Sequence, residues 1–191
     1  DRAGLRPRHQ AHWVTKNHAN VFPACSTNGV IMFFEESLRI GQRLTERQET
    51  VSVAESSTGG LISANLLSVP GASVYFQGGS VVYTTASRRA FLDLEKARVA
   101  SLQPLTEAMV LEFARAARLK LNTTWGIAEL GAAGPTGTPY GHGPGTSVIG
   151  ISGPMDRTCL IETHAVDRAD NMLQFTGQAL ALFEAALNDA P

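Results

Sequence analysis

The sequence predicts an α/β domain whose partly parallel sheet is covered by helices and ends in an antiparallel part. Three observations support this fold class. Short apolar runs typical of buried strands alternate along the chain with segments of helical periodicity. The last two strand-like runs are separated only by a turn, which indicates a hairpin. The chain has 191 residues, of which 43% are hydrophobic, so it is long enough to bury a core.

The first elements are a helix, a strand and a second helix. Residues 35–48 predict a helix with Leu38 and Leu44 facing inward. Residues 51–54 form a short apolar run, which favours a buried strand. Helical character resumes at residues 61–67 and stops before a Pro-Gly turn.

The middle of the chain predicts one strand and two helices. We expect a strand at residues 80–83 and a short helix at residues 86–94. A longer helix runs over residues 106–121, with Thr106 as its N-cap. Its apolar face consists of Val110, Phe113, Ala114 and Ala117.

The last third predicts three strands and the closing helix. A strand at residues 125–130 leads into a loop rich in glycine and proline at residues 131–145. Two further strands at residues 146–151 and 159–164 form the hairpin. The closing helix covers residues 167–187.

The composition argues against several classes of protein. Charged residues make up 17% and the net charge is -1, which argues against a nucleic-acid binder and against a disordered segment. Cys25 and Cys159 are too few for a disulfide scaffold or a zinc site. The sequence implies no metal and no other cofactor. The most apolar candidate span, residues 17–34, contains Pro23 and several polar residues, so we expect no membrane span.

Residues 1–34 are predicted to form an N-terminal arm outside the domain at residues 35–191. This arm carries one acidic residue, Asp1, against four basic ones. It either lies on the domain or on a partner, or it is what remains near an organellar import signal. The compartment, cytoplasm or organellar matrix, stays open.

Two long stretches without charge indicate where a ligand binds. One lies between Glu55 and Arg88, and the other between Glu129 and Asp156, with histidine counted as neutral. Both are rich in glycine and small polar residues. Such residues let a ligand approach the main chain closely.

The turn at residues 55–60 stands between a predicted strand and a predicted helix. Ser56 or Ser57 is a candidate nucleophile there. Three backbone amides that face the positive end of the helix could hold a phosphate or an oxyanion, those of Thr58, Gly59 and Gly60. The alternative is plain helix capping by the serines and the threonine. The glycine-rich loop at residues 131–145 is a second candidate for ligand contact, or else a flexible surface loop.

These motifs together resemble a known family. Residues 54–60, AESSTGG, are similar to the A-E-S-C/S-T-G-G signature of the CinA C-terminal domain family, the nicotinamide-nucleotide amidohydrolases. The resemblance covers about residues 35–188. It continues at residues 70–73, 76, 78–79, 82–83, 131–135 and 145–146.

The resemblance implies a three-layer helix–sheet–helix domain that hydrolyses the linear amide of nicotinamide mononucleotide. The products are nicotinic acid mononucleotide and ammonia, as in pyridine-nucleotide salvage. The resemblance also implies a homo-oligomer. The implied catalytic residues are Ser56, as nucleophile, with Thr58, Tyr83 and Arg88. The implied substrate-binding residues are Ser57, Gly59, Gly60, Gly131, Ala133, Gly134, Gly145, Thr146 and Arg168.

The chain departs from the family at the residue that supplies the base. Arg88 stands at the position of the family's lysine, and an arginine stays protonated, although it can bind a phosphate or a carboxylate. Leu130 stands where the family tends to carry serine or threonine. Glu55, Glu129 and His142 are candidates to replace the base, and His142 is the best of them on its chemistry.

Two functions from different classes follow. The first is an amidohydrolase in which Ser56 attacks the amide. The second is a catalytically silent relative that acts as a binding or structural subunit of a larger assembly, with a nucleotide-binding sensor as a third possibility. The sequence leaves this choice open.

Overall fold

The computed structural model describes residues 33–94 and 96–191. The predicted arm at residues 1–34 lies outside this part except for its last two residues. Within the described residues, no helix is both long and apolar enough to cross a membrane.

The described part contains the predicted alternation of strands and helices. Its strands are β1 (Val51–Glu55), β2 (Phe76–Val81), β3 (Trp125–Ala132), β4 (Thr146–Ser152) and β5 (Arg157–Glu162). Its helices are α1 (Phe34–Glu46), α2 (Leu61–Leu67), α3 (Thr85–Leu92), α4 (Lys96–Val99), α5 (Glu107–Leu121) and α6 (Arg168–Asp189). A short 3-10 turn covers Ala72–Val74.

The five strands form one mixed sheet in the order β2-β1-β3-β4-β5. β1 pairs in parallel with β2 and with β3, whereas β3–β4 and β4–β5 are antiparallel. The prediction of a partly parallel sheet that ends in an antiparallel hairpin is therefore confirmed. The next strand in the chain, β2, lies on one side of β1, and the one after it, β3, lies on the other side. The strand order therefore reverses between β1 and β3.

Helices cover both faces of the sheet, which confirms the three-layer architecture. α1, α2 and α6 contact one another on one face, and α5 lies across β1, β3 and β4 on the other. The first face buries a core that includes Trp125 and Phe183, whose rings meet edge to face at 5.7 Å. The second face buries Phe113 and Leu130 among smaller apolar residues.

One strand lies earlier than predicted. The prediction placed it at residues 80–83, but β2 occupies Phe76–Val81, so the prediction was wrong by about four residues. The misplacement has a physical cause. Gly78 and Gly79 have poor strand propensity, yet pairing with β1 holds them in the sheet. Tertiary pairing overrides local preference here.

Helix predictions were closer, with two corrections. Thr106 caps α5 by accepting from the amide of Met109, as predicted, and the apolar face of α5 is buried. Leu44 is fully buried, but Leu38 is only partly buried, and Ile40 takes the inward position instead. The four-residue helix α4 was not predicted at all.

One edge of the sheet collects the segments that carry the motifs. β1, β2, β3 and β5 end at this edge and β4 begins there, as their pairing directions require. We call it the carboxyl edge. It carries residues 55–60, 82–84, 132–146 and 162–168. In open α/β sheets, ligands bind beyond the carboxyl ends of the strands, where the strand order reverses.

Candidate active site

The candidate active site begins with two glutamates at the end of adjacent strands. Glu55 ends β1, and Glu129 is its register partner on β3. Both side chains are fully buried. They lie beneath residues 56–60, which we call the serine turn, between β1 and α2.

Glu55 fills the N-terminus of α2. One of its carboxylate oxygens accepts from the amide of Ile62 at 3.1 Å and from the hydroxyl of Thr58 at 2.7 Å. The other accepts from the amide of Ser63 at 3.0 Å and from its hydroxyl at 2.7 Å. A carboxylate at this place satisfies amides that the helix itself leaves unpaired and is stabilised by the helix dipole.

Glu129 holds the serine turn from below. Its Oε2 accepts from the amides of Ser56 and Thr58, each at 3.1 Å. Its Oε1 accepts from the hydroxyls of Ser57 at 2.5 Å and Ser147 at 2.9 Å. Burial raises the pKa of Glu129, and these four hydrogen bonds oppose the rise. One buried carboxylate thus fixes three consecutive residues of the turn.

These contacts leave two amides of the turn without an acceptor among the described residues, those of Ser57 and Gly60. The Thr58 amide donates to Glu129, and the Gly59 amide donates to the Ser56 carbonyl at 3.3 Å. Among the described residues, the amide of Gly60 has no acceptor. Of the three amides predicted to hold an anion, that of Thr58 is taken by Glu129 and that of Gly59 by a backbone carbonyl, so only that of Gly60 stays free.

Ser56 and Ser57 have different surroundings. The hydroxyl of Ser57 is engaged by Glu129, whereas that of Ser56 makes no hydrogen bond within the described residues. The Ser56 amide also donates to the Glu129 carbonyl at 3.1 Å, so pairing with β3 continues to this residue. Because Glu55 points to the α2 side, alternation along the strand directs Ser56 to the α5 side. Ser56 retains 6% exposure.

Glycines in the loop after β3 make room for packing. A Cβ atom at Gly131 would lie 2.4 Å from Oγ of Ser57 and 2.6 Å from Oε1 of Glu129. Gly134 has φ of +109°, and a Cβ there would lie 2.7 Å from the carbonyl oxygen of Val166. These two positions require glycine because of the protein's own contacts.

The loop ends are tied to β5 and α6. The Gly145 amide donates to the Ala132 carbonyl at 2.8 Å, and Thr146 begins β4 beside it. The buried Asn171 side chain donates to the carbonyl of Ala133 at 2.8 Å and accepts from the hydroxyl of Thr163 at 2.5 Å. Asn171 is one of the residues that sequence reasoning missed, because its contacts are set by tertiary structure and follow no local pattern.

Arg168 and Tyr83 lie together at the carboxyl edge. Arg168 opens α6 and donates to the carbonyl of Gly134 at 3.0 Å. Its guanidinium carbon lies 6.0 Å from the centroid of the Tyr83 ring, within the range of a cation–π contact. Tyr83 is 55% exposed, so its hydroxyl is available to a ligand or a partner.

Arg88 lies on the α5 side of the same edge. Its Nε donates to the carbonyl of Val82 at 3.2 Å, and its guanidinium carbon lies 5.3 Å above the Phe113 ring. Burial lowers the pKa of Arg88 from its usual value. An arginine remains a proton donor even so, because its usual pKa is far above neutrality.

His142, the candidate replacement base, stays within its own loop. Its Nδ1 lies 3.1 Å from the hydroxyl of Thr138, and its amide donates to the same hydroxyl. No hydrogen bond joins His142 to the serine turn within the described residues. Glu55 and Glu129, the other two candidates, do reach the turn. Sequence analysis noted both glutamates as possible bases but missed the clamp that they form.

Three cavities of the described residues lie away from the serine turn. The largest of them, of about 430 Å³, lies between α1 and residues 69–75. One of about 340 Å³ lies between the start of α1 and α6, and one of about 300 Å³ lies between β2 and the ends of α3 and α5. A smaller cavity of about 210 Å³ is lined by Arg88. Size alone does not identify the reactive site here.

Comparison with known proteins gives a consistent result. The sequence model of the CinA C-terminal domain family matches residues 35–187 of this chain. A CinA-like protein of Acaryochloris marina is 37% identical over 115 residues, which are 60% of this chain and 27% of that protein. One of Salinibacter ruber is 33% identical over 141 residues, which are 74% of this chain and 34% of that protein. The chain thus spans only about a third of the curated relatives that it matches.

Solved structures show the same fold. The competence/damage inducible protein CihA from Agrobacterium tumefaciens is 25% identical, with a TM-score of 0.75 over 90% of this chain and all of that one. The competence damage-inducible protein A from Klebsiella pneumoniae has a TM-score of 0.77 at 23% identity, over 83% of this chain and 98% of that one. At 23% identity, the similarity to the Klebsiella pneumoniae protein shows the fold alone.

Proposed function

The chain belongs to the CinA C-terminal domain family, and from this premise we propose that it is a serine-dependent amidohydrolase. Its substrate in this proposal is nicotinamide mononucleotide. Water cleaves the carboxamide, and nicotinic acid mononucleotide and ammonia are released. The reaction would return a pyridine nucleotide to salvage.

The observation that carries the proposal is the state of Ser56. Its backbone is fixed by Glu129, while its hydroxyl is not hydrogen-bonded to any described residue. It stands at the carboxyl end of β1, where the strand order reverses and ligands bind in folds of this kind. A positioned backbone with an unengaged hydroxyl suits a nucleophile.

In the proposed reaction, Ser56 Oγ attacks the carboxamide carbon. The amides of Ser57 and Gly60 are available to the developing oxyanion, because the other three turn amides are already bonded. The proton that Ser56 gives up passes to the amide nitrogen, so that the C–N bond breaks and ammonia leaves. Water then adds to the ester on Ser56, its proton returns to Ser56 Oγ, and the carboxylic acid is released. Tyr83 and Arg168 contact each other at the same edge of the sheet and would contact the substrate.

The test is product formation by the full chain. Purified protein is incubated with nicotinamide mononucleotide, and ammonia and nicotinic acid mononucleotide are measured. We expect turnover, and we expect Arg88→Lys to increase it, because a lysine can lose its proton when desolvated. Absence of both products from both proteins would contradict the proposal.

A second candidate function is a binding or structural subunit without turnover. The observation that favours it is Arg88, which keeps its proton at the place of the family's base. The predicted arm at residues 1–34 would attach the domain to a partner in this case, and otherwise the chain would form a homo-oligomer. Native mass separates these cases: migration as a free monomer or homodimer would contradict the subunit proposal.

A further inference from the structure

Two carboxylates of the protein lie directly against the turn that was expected to hold a ligand anion. Glu55 fills the N-terminus of α2, and Glu129 takes the amides of Ser56 and Thr58. A phosphate placed beside two buried carboxylates would meet like charge at short range. An anionic ligand therefore needs another cationic partner at the carboxyl edge.

Arg88 has the geometry of such a partner. Its Nε is used by the Val82 carbonyl, and one face of its guanidinium lies over the Phe113 ring. These two contacts fix the plane of the group and leave its terminal nitrogens unused within the described residues. A fixed guanidinium fork matches the spacing of oxygens in a carboxylate or a phosphate.

A cavity of about 210 Å³ adjoins this guanidinium. Among the residues that the structure describes, its polar lining consists of Arg88, Arg89 and Thr85, and no acidic residue lines it. The other lining residues are apolar, namely Leu94, Val99, Ala100, Leu102, Pro104, Met109 and Phe113. None of the salt bridges between described residues includes Arg88 or Arg89.

Arg88 is partly buried, and this desolvation lowers the pKa of its guanidinium. An oxyanion bound in the cavity would offset the cost of this desolvation. The apolar lining would at the same time receive an uncharged or aromatic part of the ligand.

We propose that the cavity beside Arg88 is a binding site for the oxyanion group, phosphate or carboxylate, of a small molecule with an apolar body. The cavity lies between α3, residues 94 and 99–104, and α5. Only the identification of that ligand as a pyridine nucleotide rests on the proposed function. The anion site itself stands whether or not the protein turns a substrate over.

Titration calorimetry on the full chain tests the proposal with two matched pairs of probes. Nicotinamide mononucleotide and nicotinamide riboside differ by the phosphate, and nicotinic acid and nicotinamide differ by the carboxylate. Ser56→Ala is the background for all titrations, so that turnover does not disturb binding. Arg88→Met removes the guanidinium, and Arg43→Met, at an exposed position of α1, is the matched control for the loss of one charge.

We expect the anion to tighten binding in at least one pair by roughly 10- to 100-fold, the effect of a charge-assisted hydrogen bond. Arg88→Met should abolish this gain, and Arg43→Met should keep it. The proposal would be overturned if the two members of each pair bound with equal affinity. It would also be overturned if the tighter binding of the anionic member persisted in Arg88→Met. An Arg88-dependent gain for nicotinic acid, with no binding of the mononucleotide, would support the anion site and contradict the proposed substrate.

Because Arg88→Met could misfold, a second measurement uses the chain without substitutions. Phenylglyoxal modifies accessible arginines, and peptide mass spectrometry reports which ones react. The anionic probe should protect Arg88 and leave Arg43 unprotected. Equal modification of Arg88 with and without the probe would overturn the proposal.

Discussion

Replacing Glu129 gives the sharpest test of the clamp beneath the serine turn. Glu129→Ala removes the acceptor of five hydrogen bonds, one of them from the Thr58 hydroxyl at 3.2 Å. Three of the donors keep other acceptors. The Ser56 amide still has the carbonyl of residue 129, the Ser147 hydroxyl still has the carbonyl of Leu130 at 3.3 Å, and the Thr58 hydroxyl still has Glu55.

The other two donors lose their acceptors among the described residues. They are the amide of Thr58 and the hydroxyl of Ser57, and both residues are buried. Each buried group left unsatisfied costs about 1–3 kcal/mol. Removal of a buried carboxylate relieves part of this, so we expect Glu129→Ala to lower the free energy of unfolding by about 2–4 kcal/mol.

Glu129→Gln is the matched control. Its amide oxygen can accept from the two backbone amides, and its amide nitrogen can donate to the hydroxyls of Ser57 and Ser147. The number of hydrogen bonds is then preserved, and we expect a cost of about 1 kcal/mol or less. The two variants should therefore differ in stability by roughly 1–3 kcal/mol or more.

The pH dependence of stability provides an independent readout. Burial raises the pKa of Glu129 above its usual value of 4.5. Between the unfolded and the folded pKa, the folded protein binds more protons than the unfolded chain, so its stability falls as pH rises through that window. Glu129→Gln does not titrate and should lose this part of the pH dependence.

Urea unfolding monitored by far-UV circular dichroism, in a pH series, measures both effects. The clamp account would be refuted if Glu129→Ala cost less than 1 kcal/mol, or if Glu129→Gln and the unaltered protein lost stability equally as pH rises.

Two further predictions concern packing and capping. Gly131→Ala should destabilise the fold by about 1–3 kcal/mol, because its Cβ would meet Ser57 Oγ at 2.4 Å. Gly143→Ala, with no heavy atom within 4 Å of the new Cβ, is its control, and equal melting temperatures would contradict the packing argument. Thr106→Ala should cost about 1 kcal/mol, because α5 loses its N-cap, and Thr106→Ser should restore most of it in urea unfolding. An unchanged midpoint for Thr106→Ala would show that the cap is dispensable.

The parts of the fold that were predictable from sequence are those specified locally. Thr106 caps α5 as its residue type and position indicate, and the apolar spacing along α5 gives its buried face. β2 was misplaced because Gly78 and Gly79 carry no strand preference of their own. They belong to the sheet because β1 offers them backbone partners, which local sequence does not show.

The site was predictable as a set of segments but not as a set of contacts. The signature indicated the serine turn, and the topology brings it to the carboxyl edge with Tyr83 and Arg168. The clamp joins residues more than 70 positions apart, from Ser56 to Glu129, and such pairing follows only from the register of β1 and β3. The contacts of Glu55 with the N-terminus of α2 were not anticipated either, because they depend on the direction that the turn gives to α2.

The most direct test of the central claim compares two serine variants in steady-state hydrolysis of nicotinamide mononucleotide. Ser56→Ala removes the proposed nucleophile, whereas Ser57→Ala removes a hydroxyl that is bonded to Glu129. The account predicts that kcat/KM falls by roughly 10³-fold or more in Ser56→Ala and by roughly 10-fold or less in Ser57→Ala. Turnover that survives Ser56→Ala at the level of the unaltered protein would contradict it.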